Sequence, residues 1–224
     1  MEKAVVLLSG GLDSATCMAV AKEQEKEPYP ISFDYQQRHS IELVGAKKIA
    51  AFYKVKKHLL IKTNMGVIGG SALTDGDIAV PQRDVSSATV PVTYVPARNL
   101  IFLSYALGYA EVLGAYHIYI GVNSVDYSGY PDCRPEFIEH FQAVADYSTP
   151  NTFAKKRIEI VTPLQHLSKA EIVRLAARLD VPIELTRSRY KGGKKACGVC
   201  DSCKLRLKGF LEAGIKDPID YEKR

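Results

Sequence analysis

The chain of 224 residues contains no tryptophan and only three methionines, and it lacks a long apolar run. A membrane-spanning helix needs about 20 consecutive, mainly apolar residues, so the sequence predicts no such span. The amino terminus reads Met-Glu-Lys, then an apolar stretch of only five residues, then Ser-Gly-Gly. Because that stretch is too short for a secretory signal, we expect a cytoplasmic protein that does not contact a membrane.

Cysteine is scarce and unevenly distributed. Of the five cysteines, Cys17 and Cys133 stand alone, whereas Cys197, Cys200 and Cys203 are crowded together. An odd number with this clustering is a poor disulfide framework. A reducing compartment and a metal site explain the pattern better.

Acidic residues are nearly absent from residues 187–208, which contain eight Lys or Arg and a single Asp. The whole chain carries a net charge of +5, from 30 basic and 25 acidic residues, so the positive excess lies in this segment. Such a segment can bind nucleic acid, bind a small anion, or bind nothing.

Short apolar runs alternate with stretches of helical periodicity along the chain. This alternation predicts an α/β fold with an open, mainly parallel five-stranded sheet flanked by helices. Residues 64–94 are expected to be a loop-rich insert. We expect residues 1–185 to form the main domain and residues 186–224 a small cysteine knuckle and helix, packed as part of one unit. The predicted strands are 3–8, 29–33, 57–61, 117–121 and 157–161, and the predicted helices are 13–25, 41–53, 97–113, 135–147, one following a capping box at 168–171, and 201–213.

The segment Ser9-Gly-Gly-Leu-Asp-Ser14 lies between the first predicted strand and the first predicted helix. Its glycines allow an anion to approach backbone N–H groups, and a helix N-terminus favours negative charge. The hydroxyls of Ser9 and Ser14 can donate hydrogen bonds, and Asp13 can hold a metal-bound phosphate or cap the helix. The order of residues matches neither common phosphate-loop motif. From spacing alone, a plain strand-to-helix turn is an equal alternative.

Other polar segments are expected to lie at the same edge of the sheet as this loop. They are residues 34–39, 95–99, 121–137 and 162–163, which follow predicted strands or open a predicted helix. In an open parallel sheet, ligands bind beyond the carboxyl ends of the strands. The segments should therefore converge on one ligand site.

Several side chains in these segments suit an anionic, guanine-like ligand. Asp126 or Asp132 can accept hydrogen bonds from N–H groups, while Tyr35, Tyr127 and Tyr130 can stack on a heterocycle. Arg38, Arg98 and Arg134 can clamp a carboxylate or phosphate. For each arginine, a solvated surface position is an equal alternative to ligand binding, and for each tyrosine, a position in the core or at its rim is. The cations Arg98 and Lys169 lie in first helical turns, where a positive charge costs about 0.3–1 kcal/mol unless an anion is near.

The loop Ser9–Ser14 resembles the pyrophosphate loop of the ATP pyrophosphatase superfamily. Together with the string GVNSVDYSGYPDCRPEFI at residues 121–138, it makes the chain closely similar to the 7-cyano-7-deazaguanine synthase family from residue 4 to about residue 218. The resemblance implies a ligase that forms C–N bonds. With ATP and Mg²⁺ it would adenylate 7-carboxy-7-deazaguanine, let ammonia form an amide, and dehydrate the amide to a nitrile for queuosine biosynthesis. It also suggests a homodimer with no stably bound nucleic acid.

The resemblance also implies roles for individual residues. The catalytic residues would be Ser9, Asp13, Ser14 and Lys169, with Lys169 neutralising charge as pyrophosphate leaves. The ATP-binding residues would be Leu8, Ser9, Gly10, Gly11, Leu12, Asp13, Ser14, Ala15, Thr16, Cys17 and Met18. The substrate-binding residues would be Tyr35, Gln37, Arg38, Arg98, Asn99, Asn123, Asp126, Tyr127, Tyr130, Asp132 and Arg134.

The pattern Cys197-x-x-Cys200-x-x-Cys203 predicts a metal site, with zinc as the implied ion. Structural zinc prefers four ligands, and the family supplies a fourth cysteine where this chain has Arg189. We therefore expect a weakened zinc site. Its fourth ligand would be water, Asp201 or a residue elsewhere, and a knuckle without metal is a further alternative. An iron–sulfur cluster is disfavoured because no cysteine continues the run.

Other functions remain open at this point. A tRNA-thiolating enzyme of the same superfamily would use the basic segment and the cysteines, although no separate RNA-binding domain is visible. A non-enzymatic zinc-knuckle module is opposed by the intact Ser9–Ser14 loop. A catalytically impaired relative would explain Arg189.

Overall fold

The computed structural model describes residues 1–36, 41–79, 90–123, 129–150, 156–188 and 195–222. In this part of the chain, strands and helices alternate as the sequence predicts. The strands are β1 (Glu2–Leu7), β2 (Lys26–Asp34), β3 (Leu59–Lys62), β4 (His117–Tyr119) and β5 (Glu159–Val161). The helices are α1 (Leu12–Glu23), α2 (Ile41–Phe52), α3 (Arg98–Leu113), α4 (Pro135–Ser148), α5 (Lys169–Arg178) and α6 (Asp201–Ala213), with short 3₁₀ turns at Met65–Val67, Pro131–Cys133 and Ile183–Leu185.

The five strands form one parallel sheet in the order β3-β2-β1-β4-β5. β1 is central, with Val5 paired to Tyr29 of β2 on one side and to Ile118 of β4 on the other. The chain first adds β2 and β3 to one edge and then returns to add β4 and β5 to the other. The strand order therefore reverses beside β1, which is where open α/β sheets bind ligands. The predicted α/β fold is confirmed.

The sheet separates two apolar cores. Val5 and Leu7 of β1 face the core shared with α3 and α4, whereas Val6 and Leu8 face the core shared with α1, α2, α5 and α6. This follows from the alternation of side chains along a strand, and it explains why residues 4–7 of β1 are all apolar. Each large aliphatic side chain buried in this way contributes about 1.5–3 kcal/mol.

The capping box predicted before α5 is present. The amide of Glu171 donates to the Ser168 hydroxyl at 3.3 Å, and the amide of Ser168 donates to the Glu171 carboxylate at 2.7 Å. The cap sets the first residue of α5, Lys169. In the insert, Met65–Val67 is a 3₁₀ turn, and the amide of Ala72 donates to the carbonyl of Val92. Residues 80–89 of the insert lie outside the described residues.

The C-terminal segment packs onto the main sheet domain. Phe210 of α6 is buried in the core beneath α1 and α5, and the amide of Arg187 donates to the carbonyl of Gly10 at 2.9 Å. The domain division at residue 185 remains a prediction. Among the described residues, no helix is both long and apolar enough to cross a membrane.

Candidate nucleotide-binding site

The segment Ser9–Ser14 is a tight loop between β1 and α1, held by its own hydroxyl groups. The Ser9 amide donates to the Ser14 hydroxyl at 3.2 Å, and the two serine oxygens lie 3.0 Å apart. The Gly11 amide donates to the Ser9 hydroxyl at 3.3 Å. The first-turn amides of α1 therefore lie beside two hydroxyl groups, an arrangement that suits an anion.

Gly10 cannot be replaced by a larger residue. Its φ of +93° is disfavoured for residues with a side chain. A β-carbon there would lie 2.2 Å from the carbonyl oxygen of Glu42 in α2. Gly121, after β4, also contacts the loop, because its β-carbon would lie 3.0 Å from the backbone of Asp13. The loop is thus packed between α2 and the end of β4.

A cavity of about 360 Å³ opens at this loop, beside the carboxyl ends of β1 and β4. Among the described residues, its walls include four cations, Arg98, Lys169, Arg187 and Arg206, and two carboxylates, Asp13 and Glu42. Lys169 is paired with Asp13 and Arg206 with Asp217, so the positive excess comes from Arg98 and Arg187 against Glu42, and it favours an anionic ligand. The opposite wall is apolar and aromatic: Phe33 and Phe102 stack with their ring centroids 3.9 Å apart, and Tyr35 packs against Phe102 at 5.5 Å.

Lys169 and Asp13 form a salt bridge in the wall of the cavity. The Lys169 ammonium donates to both Asp13 oxygens, at 2.9 and 2.8 Å. The anion expected near the first turn of α5 is therefore a carboxylate from the first turn of α1. Gly209 of α6 makes room for this lysine, since a β-carbon there would lie 2.3 Å from Lys169 Cγ.

Arg98 is the first residue of α3 and lies near the 3₁₀ turn Pro131–Cys133. Burial disfavours its charge, but the neighbouring Tyr35, Tyr130 and Asp132 hold its pKa above the ordinary value. Asp132 accepts a hydrogen bond from the Asn99 amide at 2.8 Å, while the Asn99 side chain donates to the Asp132 carbonyl at 3.0 Å. Asp132 thus caps α3 and provides the anion that a first-turn cation needs.

The thiols of Cys133, at the cavity, and Cys17, within α1, do not have the properties of nucleophiles. Burial raises the pKa of Cys133 to about 11, and the nearby Asp132 adds to this shift. Burial also raises the pKa of Cys17, which lies in α1 under the sheet. Thiols that remain protonated at neutral pH are poor nucleophiles.

The structure brings many of the predicted site residues to this cavity. The residues Leu8, Ser9, Gly11, Leu12, Asp13 and Ser14 line it, as do Tyr35, Arg98, Asn99, Asn123, Tyr130 and Lys169. Gly10 contacts α2 instead, and Ala15, Thr16, Cys17 and Met18 are buried within α1.

Other predicted residues have different surroundings. The side-chain amide of Asn123 donates to the carbonyls of Leu164 and Leu167, so it also braces the segment before α5. Arg134 is exposed at the start of α4 and does not line the cavity. Gln37, Arg38, Asp126 and Tyr127 lie outside the described residues.

The sequence analysis missed several cavity residues. Glu42 lies in the first turn of α2, directly after the polar segment 34–39, and this proximity was the one available signal. Arg187 and Arg206 were counted only as members of the basic segment. The Phe33 and Phe102 wall is made by residues that read as core residues of a strand and a helix. All five line the cavity.

The three clustered cysteines lie close enough to share one ion. Their sulfur atoms are within 4.8 Å of one another, and Cys197 Sγ is 3.8 Å from Cys203 Sγ. Four sulfurs around zinc at roughly 2.3 Å are spaced by roughly this distance. The three thiols therefore fit a tetrahedral ion. Among the described residues, Asp201 does not belong to this group, and Arg189 lies outside them.

The fold and this cavity define an α/β nucleotide-binding protein of the PP-loop type. A glycine- and serine-rich loop leads into a helix at the point where the strand order reverses. A 4-thiouridine synthetase solved in complex with RNA and bound ATP has the same fold: its TM-score is 0.52 at 17% identity, over 95% of this chain and 50% of that one.

Sequence comparison then gives the family. The family model described as "Queuosine biosynthesis protein QueC" matches residues 3–214. A 7-cyano-7-deazaguanine synthase 2 of Desulfitobacterium hafniense is 62% identical over 221 residues, covering 99% of this chain and 94% of the relative. A 7-cyano-7-deazaguanine synthase of Acetivibrio thermocellus is 58% identical over 224 residues and covers both chains completely. The chain belongs to the QueC family.

Proposed function

We propose that the protein is a 7-cyano-7-deazaguanine synthase, an ATP-dependent ligase that forms C–N bonds. It would convert 7-carboxy-7-deazaguanine and ammonia, through an adenylated carboxylate and an amide, to 7-cyano-7-deazaguanine for queuosine biosynthesis. The observation that carries this proposal is the cavity in which the Ser9–Ser14 loop, the Lys169–Asp13 pair and Arg98 face one another. Family membership supports the same reaction.

The loop side of the cavity is assigned to ATP. The first-turn amides of α1 would receive the β- and γ-phosphates, and the hydroxyls of Ser9 and Ser14 would exchange their mutual contact for phosphate oxygens. Asp13 would hold Mg²⁺, which when bound offsets the phosphate charge. Arg187 supports this assignment, because its buried Nε has no hydrogen-bond partner among the described residues.

The aromatic side of the cavity is assigned to the deazaguanine. Tyr35, Tyr130 and the stacked Phe33–Phe102 pair offer flat apolar surfaces to a heterocycle. Arg98 and Asn99 line the same cavity, and Arg98 can orient the carboxylate toward the α-phosphate. The sequence-predicted roles of Asp126 and Tyr127 in substrate binding belong to the same proposal.

The chain's own residues can then support the transfer. The carboxylate oxygen attacks the α-phosphorus, and the bond from phosphorus to the pyrophosphate oxygen breaks. Lys169, released from Asp13, stabilises the charge that builds on the leaving pyrophosphate. The cavity walls hold the adenylate away from water until the nitrogen nucleophile arrives.

Further assignments belong to the same proposal. Cys197, Cys200 and Cys203 would hold a weakly bound structural zinc that braces the base of α6. The hydrogen bond with Cys200, together with burial, raises the pKa of Cys203, so metal binding would release protons. A cytoplasmic homodimer without stably bound nucleic acid is proposed from the family resemblance.

The test is a mass-resolved reaction of the purified protein with ATP, Mg²⁺, ammonium and 7-carboxy-7-deazaguanine. We expect an amide intermediate, a nitrile product and AMP. Absence of all three, with a folded protein, would overturn the proposal. Salt-dependent tRNA binding together with tRNA thiolation would favour the alternative superfamily activity.

A further inference from the structure

Glu42 lines the cavity but has no role in the steps described so far. It lies in the first turn of α2, beside the Ser9–Ser14 loop. The other carboxylate of the cavity wall, Asp13, accepts hydrogen bonds from the Lys169 ammonium group. Among the residues the structure describes, none donates a hydrogen bond to the carboxylate of Glu42, and none forms an ion pair with it.

The position of Glu42 relative to the loop is set by close backbone packing. Gly10 lies against the Glu42 carbonyl, and Gly45 lies one turn further along α2. A β-carbon on Gly45 would lie 3.4 Å from the Gly10 carbonyl and 3.2 Å from that of Leu185. Two glycines thus hold the first turns of α2 against the phosphate loop. A group held this closely can act on atoms bound at the loop.

The surroundings of Glu42 favour a carboxylate that can take up and release a proton near neutral pH. Burial raises its pKa to about 7, and Arg98 of α3 opposes this shift. Among the described residues, Tyr35 after β2 also interacts with the Glu42 charge. Arg187 lies near the next turn of α2, where its Cγ would lie 3.4 Å from a β-carbon on Gly45. The best general base has a pKa near the working pH.

The proposed reaction requires such a base. Nitrogen reaches the site mainly as ammonium, which has no lone pair for attack. One proton must leave before the C–N bond can form. When the nitrogen attacks the adenylated carbon, the bond from that carbon to the AMP oxygen breaks and its electron pair leaves with AMP.

We infer that Glu42 is the catalytic base that accepts a proton from ammonium during amide formation. The inference rests on the proposed function and deepens it. The carboxylate attracts the cation into the cavity, and it then takes one proton. After the C–N bond has formed, the nitrogen loses a second proton to solvent, so the amide is neutral.

The experiment separates the two halves of the reaction. ATP–pyrophosphate exchange with 7-carboxy-7-deazaguanine reports adenylation without ammonia, and mass-resolved amide formation reports the nitrogen step. We expect Glu42→Gln to keep exchange within about threefold and to lower amide formation by roughly 10²–10⁴-fold, the usual contribution of a general base. Glu139→Gln, an exposed glutamate of α4, is the matched control.

The pH dependence gives a readout that a structural role would not move. At fixed total ammonium, raising the pH increases free ammonia, so the deficit of Glu42→Gln should shrink steadily toward alkaline pH. Thermal unfolding confirms that the variant folds. Equal loss of exchange and amide formation, or a deficit constant with pH, would overturn the role of Glu42. A wild-type protein active in neither assay would overturn the proposed function, and the inference with it.

Discussion

The ammonium group of Lys169 lies 2.8 and 2.9 Å from the two carboxylate oxygens of Asp13, across 156 positions of sequence. Each group opens a helix, Lys169 as the first residue of α5 and Asp13 in the first turn of α1. The two helices therefore present one charge of each sign to the same cavity. A phosphate with its metal ion can replace both halves of this pair.

Lys169→Gln should impair pyrophosphate departure without unfolding the protein. Removing a cation that stabilises transition-state charge costs roughly 10²–10³-fold in rate, so ATP–pyrophosphate exchange should fall by about that factor. Arg178→Gln, at the other end of α5, removes only an exposed ion pair with Glu23 and should leave exchange unchanged. Comparable activity of the two variants would contradict the role of Lys169.

Gly209→Ala should displace the Lys169 side chain, although the two residues are far apart in sequence. Alanine is the better helix former by about 1 kcal/mol, yet its β-carbon would meet Lys169 Cγ at 2.3 Å. Because a misplacement of about 1 Å can cost 10²-fold, we expect exchange to fall at least tenfold. Gly108→Ala in α3 has open space around it and serves as the helical control. Full activity of Gly209→Ala would show that Lys169 tolerates the displacement.

Asp217→Asn should destabilise the C-terminal segment. Arg206 donates to both oxygens of Asp217 and to the Thr186 hydroxyl, and the pair is almost completely buried. Breaking such a pair leaves an uncompensated charge and costs about 3–5 kcal/mol. Urea unfolding at neutral pH measures this loss. Glu212→Gln, from an exposed pair with Lys208, should change stability by less than about 1 kcal/mol.

The same pair predicts a pH dependence of stability. Burial acts to raise the pKa of Asp217, but its hydrogen bonds from Arg206 and Tyr221 prevail and lower it. A carboxyl group whose folded pKa is below its unfolded value contributes stability above about pH 4 and loses it as the pH falls further. Wild type should therefore lose more stability than Asp217→Asn between about pH 4 and pH 2. Parallel curves for the two proteins would contradict this.

The purified protein should contain little zinc, and Arg189→Cys should raise the zinc content. Three thiols fit the ion, but Arg189 stands where the family resemblance implies a fourth cysteine. We expect less than one zinc per untagged chain by elemental analysis, and more in Arg189→Cys. One tightly held zinc per wild-type chain, unchanged by Arg189→Cys, would refute the weakened site. Cys200→Ser, which removes a ligand, should lower both zinc content and the melting temperature.

The sequence was sufficient where local patterning decides the structure. The apolar run before Ser9, the Gly-Gly turn and the Ser168 capping box each determine a boundary within a few residues, and all three appear as predicted. β4 and β5 extend over only three residues each, less than their apolar runs. The residue at which a strand stops pairing cannot be read from its own pattern, because pairing depends on the register of the neighbouring strands.

The cavity was less predictable because its walls come from distant parts of the chain. Nothing near Glu42 in the sequence indicates that Gly10 will pack on its carbonyl, or that Arg187 will hydrogen-bond the same loop. Asp132 shows a second limit. Its residue type suits ligand binding, and in the fold one of its oxygens caps α3 through Asn99. The sequence pattern did not indicate this cap, and the substrate-binding role of Asp132 stays a prediction.

The tail after α6 affects how the protein should be produced for any of these measurements. Residues 196 and 221 pair as a parallel bridge, and the Tyr221 hydroxyl donates to Asp217 at 2.7 Å. A purification handle fused after residue 224 would begin three residues beyond Tyr221. This tyrosine pairs with Ala196, the residue before Cys197, and it supports the Arg206–Asp217 ion pair. A histidine handle there would also compete for zinc. An N-terminal handle, attached at the exposed Met1 and removed by protease, keeps both regions unperturbed.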